Sequence, residues 1–182
     1  MKRLCIVFLM ALLVPSNSCA ADTAPEAIRL NNEGVLALDK DEFRVAFDKF
    51  QAALEIDPNY ELARNNLAIA HNNYGLLLRN TPPAALKEFH QALYIEPDNP
   101  TALQSMSSFM RHIIRKNPNS FVDRLKLGDQ ARSNNDFVGA VVEYRAALKL
   151  KDDPQTHRKL ADVYRVLNEK DKAALEEAGK SK

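Results

Sequence analysis

Three times along this chain the same phrase recurs: alanine, three residues, an aromatic, two residues, then Ala-Leu. It is spelled by Ala46, Phe50, Ala53 and Leu54, by Ala85, Phe89, Ala92 and Leu93, and by Ala140, Tyr144, Ala147 and Leu148. Apolar positions three and four apart lie on one face of an α-helix. Proline follows the first two copies at Pro58 and Pro97, and the third at Pro154, two residues later than its counterparts. Such a recurrence constrains the chain more than any local propensity. It calls for a stack of similar helical units, each burying its apolar face against the next. Five glycines and no tryptophan in 182 residues leave little material for a sheet with many tight turns.

Each phrase is preceded by a second helical pattern. Ile28, Leu30, Val35, Leu36 and Leu38 predict a first helix, and Asp39-Lys40-Asp41 a turn. Phe43, Ala46, Phe47, Phe50, Ala53 and Leu54 predict the helix that follows. Gly34 is expected to let the two approach closely, because a side chain there would meet the partner helix. This pair resembles one tetratricopeptide repeat, a helix-turn-helix of about 34 residues. Residues 27–60 match that family at Gly34, Phe43, Ala46, Phe50, Ala53, Leu54 and Pro58. Leu30, Glu33 and Ala37 stand where it prefers tryptophan, leucine and tyrosine.

Residues 61–99 make a second copy through Leu67-Ala68, Ala85, Phe89, Ala92, Leu93 and Pro97. Ala53 and Ala92 are 39 residues apart, about five more than the period. The excess is expected between Gly75 and Pro83, as an extra turn of the first helix through Leu76-Leu77-Leu78. Residues 121–154 make the third copy through Leu127-Gly128, Phe137, Ala140, Tyr144, Ala147 and Leu148. The intervening segment 100–120 has room for one helix, from about Thr101 to Lys116, stopped by Asn117-Pro118-Asn119. Residues 155–179 read as a partial repeat and a polar capping helix, which an open stack needs where its last core face would meet water. The resemblance implies an all-α fold, a right-handed α-solenoid of about nine helices with one unpaired helix near 101–116. At that helix the stack is expected to change direction, or to present an apolar face to another chain.

The N-terminus has a different character. Lys2 and Arg3 precede eleven apolar residues, Leu4 to Val14, and Pro15 ends the run. A bilayer crossing needs roughly 20; eleven suit the central region of a secretory signal. Residues 1–20 are therefore expected to be a signal peptide, cut after Ala20 or Ala21, which places the mature protein in the periplasm or outside the cell. Lipidation of Cys19 is the alternative, although Ser16-Asn17-Ser18 match the usual lipoprotein pattern poorly. Both cysteines, Cys5 and Cys19, fall in this leader, so the mature chain has none for disulfides, thiolate catalysis or metal binding.

Chemistry is not legible in the rest. There is no glycine-rich phosphate loop, and His71, His90, His112 and His157 are scattered without a second ligand at metal-binding spacing. No catalytic residue, metal or cofactor is expected. His71 falls in a slot that the repeat normally fills with an aromatic, which suits a packed side chain.

Surface patterning is more informative. In the family, the first helix of each repeat lines a concave groove. Asn31 and Asn65 stand in such helices, and Asn72 and Asn73 extend a neutral polar patch suited to peptide backbone. The family's clamp for C-terminal carboxylates is not implied, since Asn31 and Val35 stand at its slots. Arg111, Arg132 and Arg165 occupy equivalent positions in three successive first helices and would select acidic peptides. Asp129 and Asp162, three residues before Arg132 and Arg165, offer these two an intrahelical partner. Residues 22–100 carry 13 acidic and 7 basic side chains, and residues 101–182 carry 11 and 16. That near-neutral total disfavours nucleic acid. The expected function is that of an exported scaffold or adaptor, binding a protein or peptide in its groove. The alternative is a self-associating envelope protein, using the charge asymmetry or the lone helix around Phe109 and Ile113.

Overall fold

A computed structural model describes residues 24–178. The expected signal peptide, with both expected cleavage positions and Cys19, lies outside the described residues. Within them are nine α-helices and no strand: α1 (Pro25–Leu38), α2 (Phe43–Ile56), α3 (Glu61–Leu77), α4 (Pro82–Ile95), α5 (Pro100–His112), α6 (Phe121–Ser133), α7 (Phe137–Leu150), α8 (Pro154–Val166) and α9 (Lys170–Glu177). Four hairpins form, α1 with α2, α3 with α4, α6 with α7 and α8 with α9, and consecutive hairpins pack on each other.

The repeated phrase acts through a glycine on the facing helix. A Cβ built on Gly34 would lie 2.6 Å from the ring of Phe50, one on Gly75 2.9 Å from Phe89, and one on Gly128 2.5 Å from Tyr144. Each aromatic is fully buried, so the helices come as close as the ring allows only because the glycine has no side chain. Gly34 and Gly128 lie 16 residues before their aromatic, but Gly75 lies 14 before its own. The excess expected between Gly75 and Pro83, as an extra turn through Leu76-Leu77-Leu78, lies instead ahead of Gly75, because it is Gly75 that meets the Phe89 ring. The added length of α3, 17 residues against 14 in α1, sits ahead of that glycine. The stretch of helix after it is shorter, ending at Leu77, and the turn that follows is the same length as the one after α1.

Three first helices end the same way. Glu42 N–H bonds to Ala37 O, Asp136 N–H to Ala131 O and Glu169 N–H to Tyr164 O, at 2.9, 2.9 and 2.8 Å. The residue before each donor, Asp41, Asn135 or Asn168, has φ near 60°. This is the C-terminal motif that places a left-handed residue just past the helix, a conformation Asn and Asp tolerate better than most side chains.

Helix α5 is shorter than the periodicity predicts. It ends at His112 rather than near Lys116, because Arg115 turns into the left-handed region (φ 57°) and Lys116 N–H reaches back to Met110 O at 2.7 Å. Nor does it leave its apolar face open: Ala102, Met106, Phe109 and Met110 are buried against α4, Leu127 and Val142. Phe109 packs on Phe89 with centroids 5.2 Å apart. With α5 lacking a hairpin partner, the next hairpin docks through α7 directly onto α4.

Candidate functional site

The predicted groove residues divide into those that hold the fold together and those that face solvent. Asn31 is 1% exposed, and its Oδ1 accepts a hydrogen bond of 2.9 Å from Nδ2 of Asn66, tying α1 to α3. Asn72 is also 1% exposed; its Nδ2 donates to Asn73 Oδ1 at 3.3 Å, while its own Oδ1 has no partner among the described residues. Asn65 and Asn73 are exposed. Asn65 Oδ1 accepts from Asn99 Nδ2 at 3.1 Å, so a second asparagine pair links α3 to the cap of α5.

Arg111, Arg132 and Arg165 are all exposed, and their surroundings differ. Arg165 pairs with Asp162 at 2.6 Å, as its spacing suggests, and with Glu177 of α9. Arg132 does not pair with Asp129. That carboxylate receives Lys159 Nζ at 2.7 Å and the hydroxyl of Tyr144 at 2.7 Å. Neither Arg111 nor Arg132 has a carboxylate within ion-pair distance among the described residues. Two of the three guanidinium groups are thus uncompensated.

A buried polar joint, invisible to spacing rules, lies between α4 and α7. His90 is fully buried, with Nε2 3.0 Å from Glu143 Oε1 and Nδ1 3.3 Å from Asp136 Oδ2. Glu143 is also fully buried, and its other oxygen accepts from Arg124 Nη1 at 3.0 Å. Arg124 Nε donates to Pro118 O at 3.0 Å. Asp136 caps α7 as well, accepting from Gly139 N–H at 2.9 Å. Burial opposes a charge on His90, but the hydrogen bonds to Asp136 and Glu143 outweigh it and raise the ring to about 9. The ring is therefore protonated at neutral pH and donates from both nitrogens. Gly139 makes room for it, since a Cβ there would collide with His90 Nδ1 and the Asp136 carboxylate.

The other two buried histidines also join neighbouring helices through carboxylates. His71 stacks on Phe47 at 4.1 Å and pairs with Glu88 at 2.8 Å, joining α3 to α4. His157 bonds Glu176 at 2.6 Å and Asp152 at 2.9 Å, joining α8 to α9. Burial lowers the His157 pKa less than these carboxylates raise it, so the net shift is upward. No group of three or more His, Cys, Asp or Glu among the described residues is arranged to hold a metal ion. No described helix is long and apolar enough to cross a membrane.

No model of a known protein family matches the chain, and no curated protein matches it. Solved structures do show a likeness. MamA of AMB-1 is 16% identical, with 84% of this chain and 88% of that one covered, at a TM-score of 0.36. MamA of MSR-1 is 16% identical over 84% and 93% of the two chains, at 0.35. A thermophilic TPR protein of Thermus thermophilus is 21% identical over 84% and 88%, at 0.34. At such scores these remain similarities. The glycine-on-aromatic contact, made in three of the four hairpins, gives this chain a tetratricopeptide-type fold.

Proposed function

We propose that the chain is an exported protein-interaction scaffold, which holds an acidic peptide segment or partner domain in the groove formed by its first helices. The observation that carries this reading is the fate of Asp129. Because Lys159 and Tyr144 take that carboxylate, Arg132 keeps its charge for a ligand, and Arg111 has no carboxylate within ion-pair distance among the described residues. Asn65 and Asn73 supply exposed amides on α3 for peptide backbone. Arg165, already held by two carboxylates, would exchange partners on binding and contributes less. The leader 1–20 supports export, and a periplasmic or secreted location follows from it.

The test is affinity capture by residues 21–182 from a native envelope extract at low and moderate salt, beside the Arg111/Arg132/Arg165→Glu variant. A partner lost in the folded variant and weakened by salt is the expected result. A partner retained by the variant removes the basic groove. Cell fractionation with an intact leader tests export separately.

The charge division supports a second reading, self-association, in which the acidic segment 22–100 of one copy meets the basic segment 101–182 of another. A light-scattering series in concentration and salt checks it; a strict monomer throughout removes it.

A further inference from the structure

Beside the His90 joint lies a cleft of about 410 Å³, within the ~300–1,000 Å³ typical of ligand sites. Leu86 of α4, Leu127 and Ala131 of α6, and Ile114 form its apolar lining, with Lys87 and Lys116 beside them. Ile114 and Lys116 belong to the connection 113–120, which stands where a hairpin would have had its second helix. The cleft is thus a product of the unpaired α5.

Its electrostatics are one-sided. Lys87 and Lys116 have no carboxylate partner among the described residues. Asp136 is the one carboxylate among the described lining residues; its two oxygens are engaged by Gly139 N–H and His90, and Lys87 acts on it only through space, beyond ion-pair distance. Past Lys116 the surface continues into an open depression lined by Arg111, Arg115 and Asn117. An apolar slot bordered by uncompensated cations matches a ligand that carries both an apolar group and several negative charges. A nucleic acid would leave the apolar lining unused, and a neutral apolar molecule would leave the cations unused.

We propose that this cleft is a docking site for an acidic peptide segment of a partner protein. One aliphatic side chain inserts between Leu86, Ile114, Leu127 and Ala131, and flanking carboxylates meet Lys87, Lys116 and Arg115. Neither Arg132 nor Arg165 lines the cleft, whereas Arg111 borders the depression that continues from it, so Arg132 and Arg165 are the residues that tell the groove from the cleft.

The probe is a fluorescent peptide with blocked ends, one leucine flanked by two glutamates on each side, titrated by anisotropy against the full chain at low salt. Saturable binding is expected, with the alanine-for-leucine peptide binding about ten-fold more weakly and added salt weakening both. Lys87→Glu with Lys116→Glu should reduce affinity about ten-fold or more. Gln130→Trp, a surface change at the cleft wall, should block the leucine while leaving the charges in place. Arg132→Glu with Arg165→Glu should bind as the parent does. Circular dichroism melts establish that each variant folds, and Gln130→Trp serves if the lysine pair does not. No saturable binding by the parent, equal binding of the alanine peptide, or indifference to both cleft variants overturns the proposal. Loss only in the Arg132/Arg165 variant assigns the peptide to the groove instead.

Discussion

His90 and Glu143 lie 53 residues apart in the chain and 3.0 Å apart in the fold, both fully buried, across the contact of α4 with α7. This contact fastens the first two hairpins and α5 to the last two hairpins. Two charged groups leave water at considerable cost, and the arrangement holds because each has further partners: Asp136 for His90 and Arg124 for Glu143.

Removing one member strands the others. Glu143→Ala leaves the Arg124 charge buried with no carboxylate and His90 with Asp136 alone, and is expected to cost about 3–5 kcal/mol in urea unfolding. In a double-mutant cycle, His90→Ala with Glu143→Ala should cost clearly less than the sum of the single changes. Additive losses would mean that the pair is not energetically coupled.

Stability should fall as pH rises above neutrality. The His90 pKa is raised in the fold, to about 9 from an ordinary 6.5. Its contribution is therefore complete below pH 6.5 and is lost as pH climbs through about 9. His157 shifts in the same direction. The unfolding free energy from urea titrations between pH 6 and 10 should decline by an amount on the order of 3 kcal/mol, and His90→Gln should flatten most of that decline. Asp136 acts at the other end. Burial raises its pKa, but His90 and Gly139 N–H lower it further, so its contribution is present above the ordinary carboxylate range and is lost in acid.

Gly128 and Tyr144 make a third test. A methyl at Gly128 would meet the ring edge at 2.5 Å, and the ring is pinned by its hydroxyl bond to Asp129. Gly128→Ala is expected to lose about 1–3 kcal/mol through overpacking. Tyr144→Leu in the same chain should make the alanine less costly than it is alone. Equal costs in both backgrounds would refute the contact.

The left-handed residues Asn135 and Asn168 predict the opposite sign. Glycine adopts that conformation without strain, so Asn135→Gly or Asn168→Gly should be neutral or stabilise by up to about 1 kcal/mol. Valine at either position should cost about 1–2 kcal/mol. Thermal midpoints of the four variants give the comparison.

The sequence by itself determined the hairpins. Apolar spacing of three and four, the Ala-aromatic-Ala phrase, Gly34 facing Phe50, the Asp39-Lys40-Asp41 turn and the intrahelical pair Asp162–Arg165 all depend on near neighbours, whose separation one helical period dictates. Tertiary structure decided the rest. Ala68 and Gly75 both suit close helix packing, and only the position of the Phe89 ring selects Gly75. Asp129 is three residues from Arg132, yet a lysine 30 residues away claims it. The end of α5, the burial of Asn31 and Asn72, and the His90–Glu143 joint likewise depend on residues brought together from distant parts of the chain. Helical periodicity tells which side chains share a face; it does not tell which face of another helix will meet them, because that is settled by the fit and charge of both surfaces at once.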